Sequence, residues 1–131
     1  MAIHTITLGI EGSGVSRSKT IENTQAGVSL IDGEAVATGE TDYELAFDLD
    51  VSLCKSFYLE SDQDVTVETN AIDATGGNTI ALRADEPYIW QANSYEAAFL
   101  LTEDVTVMYI TNASGATATI YCVALFDAVV V

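Results

Sequence analysis

Residues 104–126 read DVTVMYITNASGATATIYCVALF. Two runs rich in Val, Ile, Thr and Tyr, side chains that suit a pleated and half-buried surface, flank a loop of small residues, Ala113-Ser114-Gly115-Ala116. Strand side chains alternate between faces. In the second run Ile120, Cys122, Ala124 and Phe126 therefore share one face, and Tyr121, Val123 and Leu125 share the other. Both faces are apolar, so this strand needs cover on both sides, from its own domain or from a neighbouring chain. The stretch predicts a hairpin at the centre of an all-β fold.

Outward from this stretch, the clearest alternation is at 43–50. Tyr43, Leu45, Phe47 and Leu49 fall on one face and Glu44, Ala46, Asp48 and Asp50 on the other, as in a strand with one face in the core. Leu53–Glu60 and Val65–Thr69 read as a second hairpin joined by Ser61-Asp62-Gln63-Asp64, and Gly27–Ile31 and Glu34–Ala37 as a third turning at Asp32-Gly33. Thr79–Arg83 and Tyr88–Gln91 are short strands on either side of a turn at Asp85-Glu86-Pro87. Asp73–Asn78 is a glycine-marked loop, and Tyr95–Leu101 reads either as a strand or as one helical turn.

At the N-terminus, Ile3–Ile10 alternates weakly, with His4, Ile6, Leu8 and Ile10 on one face. The polar segment 11–25, EGSGVSRSKTIENTQ, reads as a long loop or an arm that contacts a partner. No segment repeats apolar residues at helical spacing over three turns. Turns recur every eight to twelve residues or so, the spacing of a sandwich or barrel. The expectation is a single-domain all-β sandwich spanning 1–131, jelly-roll-like or Greek-key, with little or no helix.

A partial repeat supports this reading. Asp64-Val65-Thr66-Val67 is echoed by Asp104-Val105-Thr106-Val107, Thr69-Asn70-Ala71 by Thr111-Asn112-Ala113, and Thr79-Ile80 by Thr119-Ile120. It is either a duplicated hairpin, as two facing sheets would use, or convergence on the few residues that turns favour.

Composition narrows the partners. Hydrophobic residues make up 49 % of the 131, enough for a packed core rather than a disordered chain. Twenty Asp and Glu stand against Arg17, Lys19, Lys55 and Arg83, a formal net charge of −16. Such a surface repels phosphate, which argues against nucleic-acid partners and against docking on an anionic membrane. The acidity serves either solubility or work in high salt, where self-repulsion is screened. The first residues lack a basic and apolar signal pattern, and no apolar run approaches a membrane span, so a soluble cytoplasmic product is expected. In that compartment Cys54 and Cys122 read as buried thiols, with a disulfide left open by their spacing.

Catalytic chemistry finds little support. A Ser–His–Asp site needs a histidine base, and His4, on a terminal strand, is the only histidine. Neither Cys54 nor Cys122 has basic company beyond Lys55, and their separation lacks zinc-finger spacing. Glu60, Asp62 and Asp64 alternate so that their oxygens lie on one side, a loose candidate for Ca²⁺ without an EF-hand pattern. Gly12-Ser13-Gly14 lacks the third glycine and following helix of a phosphate loop and reads as a flexible loop. Trp90 with Tyr88 and Tyr95 is a candidate aromatic platform for a sugar ring, against the commoner use of a lone tryptophan in core packing. The expectation is a non-enzymatic chain with no catalytic, cofactor or metal residues.

Three segments, DLDVSLCKSFYLESDQDVTVETN (Asp48–Asn70), NTIALRADEPYIW (Asn78–Trp90) and LTEDVTVMYITNASGATATIYCVAL (Leu101–Leu125), resemble small virion proteins of tailed bacteriophages. The resemblance implies a β-sandwich subunit that binds the major capsid protein or other virion proteins, as a capsid decoration (cement) or minor head or tail component. It would be assembled in the host cytoplasm and located in the virion. A homo-oligomer, with a trimer favoured, would cover the apolar tail Ala128-Val129-Val130-Val131. The alternative is a carbohydrate- or receptor-binding module of a phage tail or fibre, and a carboxylate hydrolase is a third reading.

Overall fold

The computed structural model describes residues 2–25, 27–72, 77–92 and 99–127. Within them the chain forms ten strands: β1 (Ala2–Gly12), β2 (Val15–Gln25), β3 (Gly27–Val36), β4 (Tyr43–Leu49), β5 (Cys54–Ser61), β6 (Val65–Thr69), β7 (Thr79–Leu82), β8 (Tyr88–Gln91), β9 (Val105–Thr111) and β10 (Ala118–Phe126). Among the described residues the one helical element is a 3-10 turn at Val51–Leu53. All pairings are antiparallel, in three sheets ordered β1-β2, β3-β10-β5-β8 and β4-β9-β6-β7.

The two four-stranded sheets bury their inner faces in one core. Ile31, Phe57, Leu59 and Ile120 come from one sheet, and Leu45, Val67, Met108 and Ile110 from the other. Phe57 sits at the centre of an aromatic group, edge-on to Phe47 at 6.4 Å and tilted against Phe99 and Tyr88 at 5.3 and 5.9 Å. The alternation expected at 43–49 is present, with Leu45, Phe47 and Leu49 buried between exposed Glu44, Ala46 and Asp48.

The hairpin expected at 104–126 does not form. β9 is an inner strand of one sheet and β10 an inner strand of the other, so residues 112–117 arch across the core. Asn112 fastens the arch. Its fully buried amide donates to the carbonyls of Val36 at 2.9 Å and Ala116 at 2.8 Å, while Oδ1 accepts from the Ser114 N–H and hydroxyl. An asparagine side chain mimics a backbone turn and satisfies carbonyls that the two ladders leave open.

The same correction applies at 53–69. β5 and β6 lie in different sheets, joined by an arch in which Ser61 Oγ donates to the Gln63 carbonyl. Nor does Asp32-Gly33 turn a hairpin. β3 runs through it as one strand with a bulge, where Ile120 pairs with Glu34 and Tyr121 with Asp32, leaving Gly33 unpaired at φ +77°. In the two-sheet body only β6 and β7 are both consecutive and adjacent. The repeat is therefore not a duplicated hairpin on facing sheets. Its first halves, β6 and β9, are neighbours in one sheet, and its second halves, β7 and β10, lie in opposite sheets.

Segment 11–25, expected as a long loop or arm, is instead the turn and second strand of a hairpin. β1 and β2 pair along eleven positions, from Ala2 with Gln25 to Gly12 with Val15. Ser13 (φ 51°) and Gly14 (φ 78°) are both left-handed, the pattern of a type I′ turn whose twist matches a hairpin. The Gly12-Ser13-Gly14 loop is thus a tight reversal. At about 3.4 Å per residue the ribbon is about 36 Å long. Its root is held at Gly27, which faces Phe126 across the ladder and where any Cβ would collide with that ring.

Candidate functional site

The residues expected to carry chemistry do not converge. His4 lies opposite Asn23 in the ribbon, far along the chain from either thiol. Cys54 and Cys122 are free and buried. Burial pushes the Cys54 thiol up to about 12, against a smaller opposing hydrogen bond from the Ser56 backbone, and pushes Cys122 higher still. Both are held as neutral thiols, poor nucleophiles at ordinary pH.

Glu60, Asp62 and Asp64 each take a different partner. Glu60 accepts from the Tyr58 hydroxyl, Asp62 from the Thr119 N–H at 2.8 Å and Asp64 from the Ala84 N–H at 2.8 Å. Among the described residues no group of three or more His, Cys, Asp or Glu is placed to hold a metal. Several of the acids serve as short acceptors at loop N–H groups. Asp50 caps Ser52 at the 3-10 turn, which holds its carboxyl below the usual value of 3.8, and Asp104 accepts from the Val51 N–H at 3.0 Å.

The aromatic platform is only partly described, because Tyr95 lies outside the described residues. Trp90 and Tyr88 point inward on β8, and the Trp90 indole stacks on Phe99 at 4.4 Å, 7° from parallel. One indole face is thus occupied by the protein itself. Ser56 Oγ, Trp90 Nε1 and the Gln91 amide are buried without a hydrogen-bond partner.

Two open surfaces stand out instead. The first is one part of the outer face of the β3-β10-β5-β8 sheet, beside a row on the same face, Leu125, Ser56 and Gln91, that is buried. Register sets side chains there in rows across the strands. Leu30, Val123, Tyr58 and Ile89 form one row, with Leu30 60 % and Ile89 40 % exposed. The adjoining row, Asp32, Tyr121 and Glu60, sets two acids about an exposed tyrosine.

The second surface is one face of the ribbon. Opposed residues of an antiparallel pair share a face. On β2 the alternation therefore sets Val15, Arg17 and Lys19 on one side. On the other side stand Thr7 with Thr20, whose hydroxyls meet at 3.3 Å, and Glu11 with Ser16. Among the described side chains one face thus carries both cations of the ribbon. Residues 11–20 are all exposed, Val15 at 54 %. The ribbon was missed in the sequence because its polar strand shows no apolar alternation; the signal was the Ser13-Gly14 pair ten residues from a β-branched run.

Comparison with known proteins returned no matching family model, no matching curated protein and no matching solved structure.

Proposed function

We propose that this chain is a non-enzymatic structural subunit of a virion, which binds the lattice of a major capsid protein as a decoration or minor head component. The observation that carries the reading is the exposed apolar row on the outer sheet face, from Leu30 to Ile89, beside a set of candidate catalytic groups that are buried, dispersed or tied to loop N–H groups. Exposed apolar rows rimmed by charge are what protein association requires. The strand orders β3-β10-β5-β8 and β4-β9-β6-β7 support reading the two-sheet body as a jelly-roll sandwich, an architecture that capsid proteins share with lectins and cupins. That analogy is at the level of fold, and the surfaces carry the argument.

The test is cosedimentation of purified protein with shells assembled from major capsid protein. Saturable binding at a fixed ratio to the shell subunits is expected, with no hydrolytic turnover in a broad substrate screen. Absence of binding across shells of several tailed phages, or saturable binding to glycans that a Trp90→Ala variant loses, would overturn the reading.

A further inference from the structure

The free sheet edges of the molecule are not alike. In the body each edge strand is blunted against addition of a further strand. β3 carries the Gly33 bulge between Asp32 and Glu34, β4 breaks register between Ala46 and Leu49, and β7 and β8 are four residues long with Pro87 between them. The ribbon differs. Among the described residues β1 pairs with β2 alone, so each of the two has one open edge eleven residues long. β2 carries Arg17, Lys19 and Glu22, charges of the kind that guard an edge, whereas Ala2–Ile10 on β1 holds no Asp, Glu, Lys, Arg or Pro.

The ladder decides which main-chain groups face the open edge of β1. The two-residue turn closes on Gly12 and Val15, and such a turn joins its ends by a hydrogen bond. From there bonded and unbonded pairs alternate down the ribbon to Ala2 and Gln25. Thr7 and Thr20 fall on an unbonded pair, where side chains come closest, and their hydroxyls meet at 3.3 Å. Ile3, Thr5, Thr7 and Gly9 therefore turn their backbone N–H and C=O away from β2. A two-stranded ribbon is at best marginally stable in water, and further strands along that edge stabilise it. Charge selects the partner. Glu11 and Glu22 cancel Arg17 and Lys19 within residues 1–25, so the whole −16 falls on 26–131, and the ribbon is where two copies approach without repulsion. Antiparallel overlap of Ala2–Ile10 with itself sets the two ribbon roots about 27 Å apart, about three Debye lengths at physiological salt. It also carries each tip, with exposed Arg17 and Lys19, toward the acidic body of the other copy.

We infer that β1 of one copy pairs antiparallel with β1 of a second about a two-fold axis, giving a continuous four-stranded sheet β2-β1-β1-β2. In full overlap Thr5 of each copy lies opposite Thr7 of the other, and Ile3 opposite Gly9, so outward main-chain groups meet outward ones. The contact is isologous and closes at two copies, in contrast to the trimer expected from the sequence. It goes beyond the virion reading and stands apart from it. A monomeric chain that binds shells overturns the inference alone, and a dimer that ignores shells overturns only the virion reading.

Analytical ultracentrifugation of the full chain tests it, and the wild type is expected to dimerise. Thr7→Pro removes an outward N–H and leaves the bonds between β1 and β2 in place. The two-fold repeats the loss, so the dissociation constant is expected to rise about tenfold or more. Ser18→Pro removes an outward N–H from β2 instead and is expected to leave the dimer unchanged. Thr5 and Thr7 are exposed, so charges placed there read the register without disturbing a core. Thr5→Lys/Thr7→Lys sets like charges opposite one another and is expected to weaken the dimer as the proline does, while Thr5→Lys/Thr7→Glu sets opposite charges together and is expected to keep it. Far-UV circular dichroism identifies any variant that fails to fold, and the charged pair decides where a proline variant does. A wild type that stays monomeric, a dimer indifferent to Thr7→Pro, a dimer lost only in Ser18→Pro, or a Lys/Glu variant as weak as the Lys/Lys one would each overturn it.

Discussion

The two-sheet body and the N-terminal ribbon are built from the same ladder of antiparallel hydrogen bonds, yet they hold together for different reasons. In the body, eight strands close on a core in which Phe57, Leu59, Met108, Ile110 and Ile120 are almost fully buried. In the ribbon, two longer strands share a ladder, and residues 11–20 are open to solvent. Burial of apolar area supplies most of the free energy of folding, while a hydrogen bond exchanged with water contributes about 1 kcal/mol. Length of pairing is therefore no measure of stability here. The body folds by its own burial, whereas the exposed end of the ribbon at 11–20 is held by its ladder.

The largest effect that would test this contrast is in the body. Phe57→Ala removes a ring packed among Phe47, Tyr88 and Phe99, and is expected to cost about 3–5 kcal/mol in chemical denaturation. A loss below about 1 kcal/mol would place the centre of the core elsewhere. Asn112→Ala comes next. It strips the donors from two carbonyls at the sheet-crossing arch, and about 1–3 kcal/mol is expected from leaving such groups unpaired. A variant of unchanged stability would show that the arch holds without its asparagine.

A smaller effect separates the regions directly. Gly14→Val forces a β-branched residue into a left-handed turn position. At dilutions where the chain is monomeric, amide exchange in β1 and β2 should accelerate, while β5 and β10 keep their protection and the unfolding midpoint moves by no more than about 0.5 kcal/mol. A shift of the whole transition would mean that ribbon and body unfold as one unit.

The smallest effect is spectroscopic. The hydrogen bond that Tyr58 donates to Glu60, with burial and that carboxylate's charge adding to it, pushes the phenol up from 10.0 to about 12. A raised folded-state value favours the neutral form, so this contribution to stability is fully present below pH 10 and is lost between pH 10 and 12. Absorbance titration should show a late tyrosinate that Tyr58→Phe removes. Its absence from the wild-type curve would mean that the pair on the outer sheet face is not made.

Much of the body was legible along the chain. Alternation at Tyr43–Leu49 marked a strand with one buried face, and the doubly apolar run at Ile120–Leu125 marked an inner strand. Partners were less legible. The loops at 61–64 and 112–117 carry the residues of hairpin turns, yet both cross between sheets. The ribbon was half visible, since residues 3–10 alternate weakly in the sequence, but only the register shows that 15–25 pairs with them as a strand.

The sequence alone determined that this protein is all-β, strongly acidic, and divided between a neutral N-terminal segment and a charged remainder. Period and composition are local properties, and a strand shows them whichever neighbour it takes. Tertiary structure decided what residues 104–126 become. β9 and β10 separate into opposite sheets because each is flanked on both sides by strands distant in the chain, and the core between them buries apolar faces that a flat hairpin would leave in water.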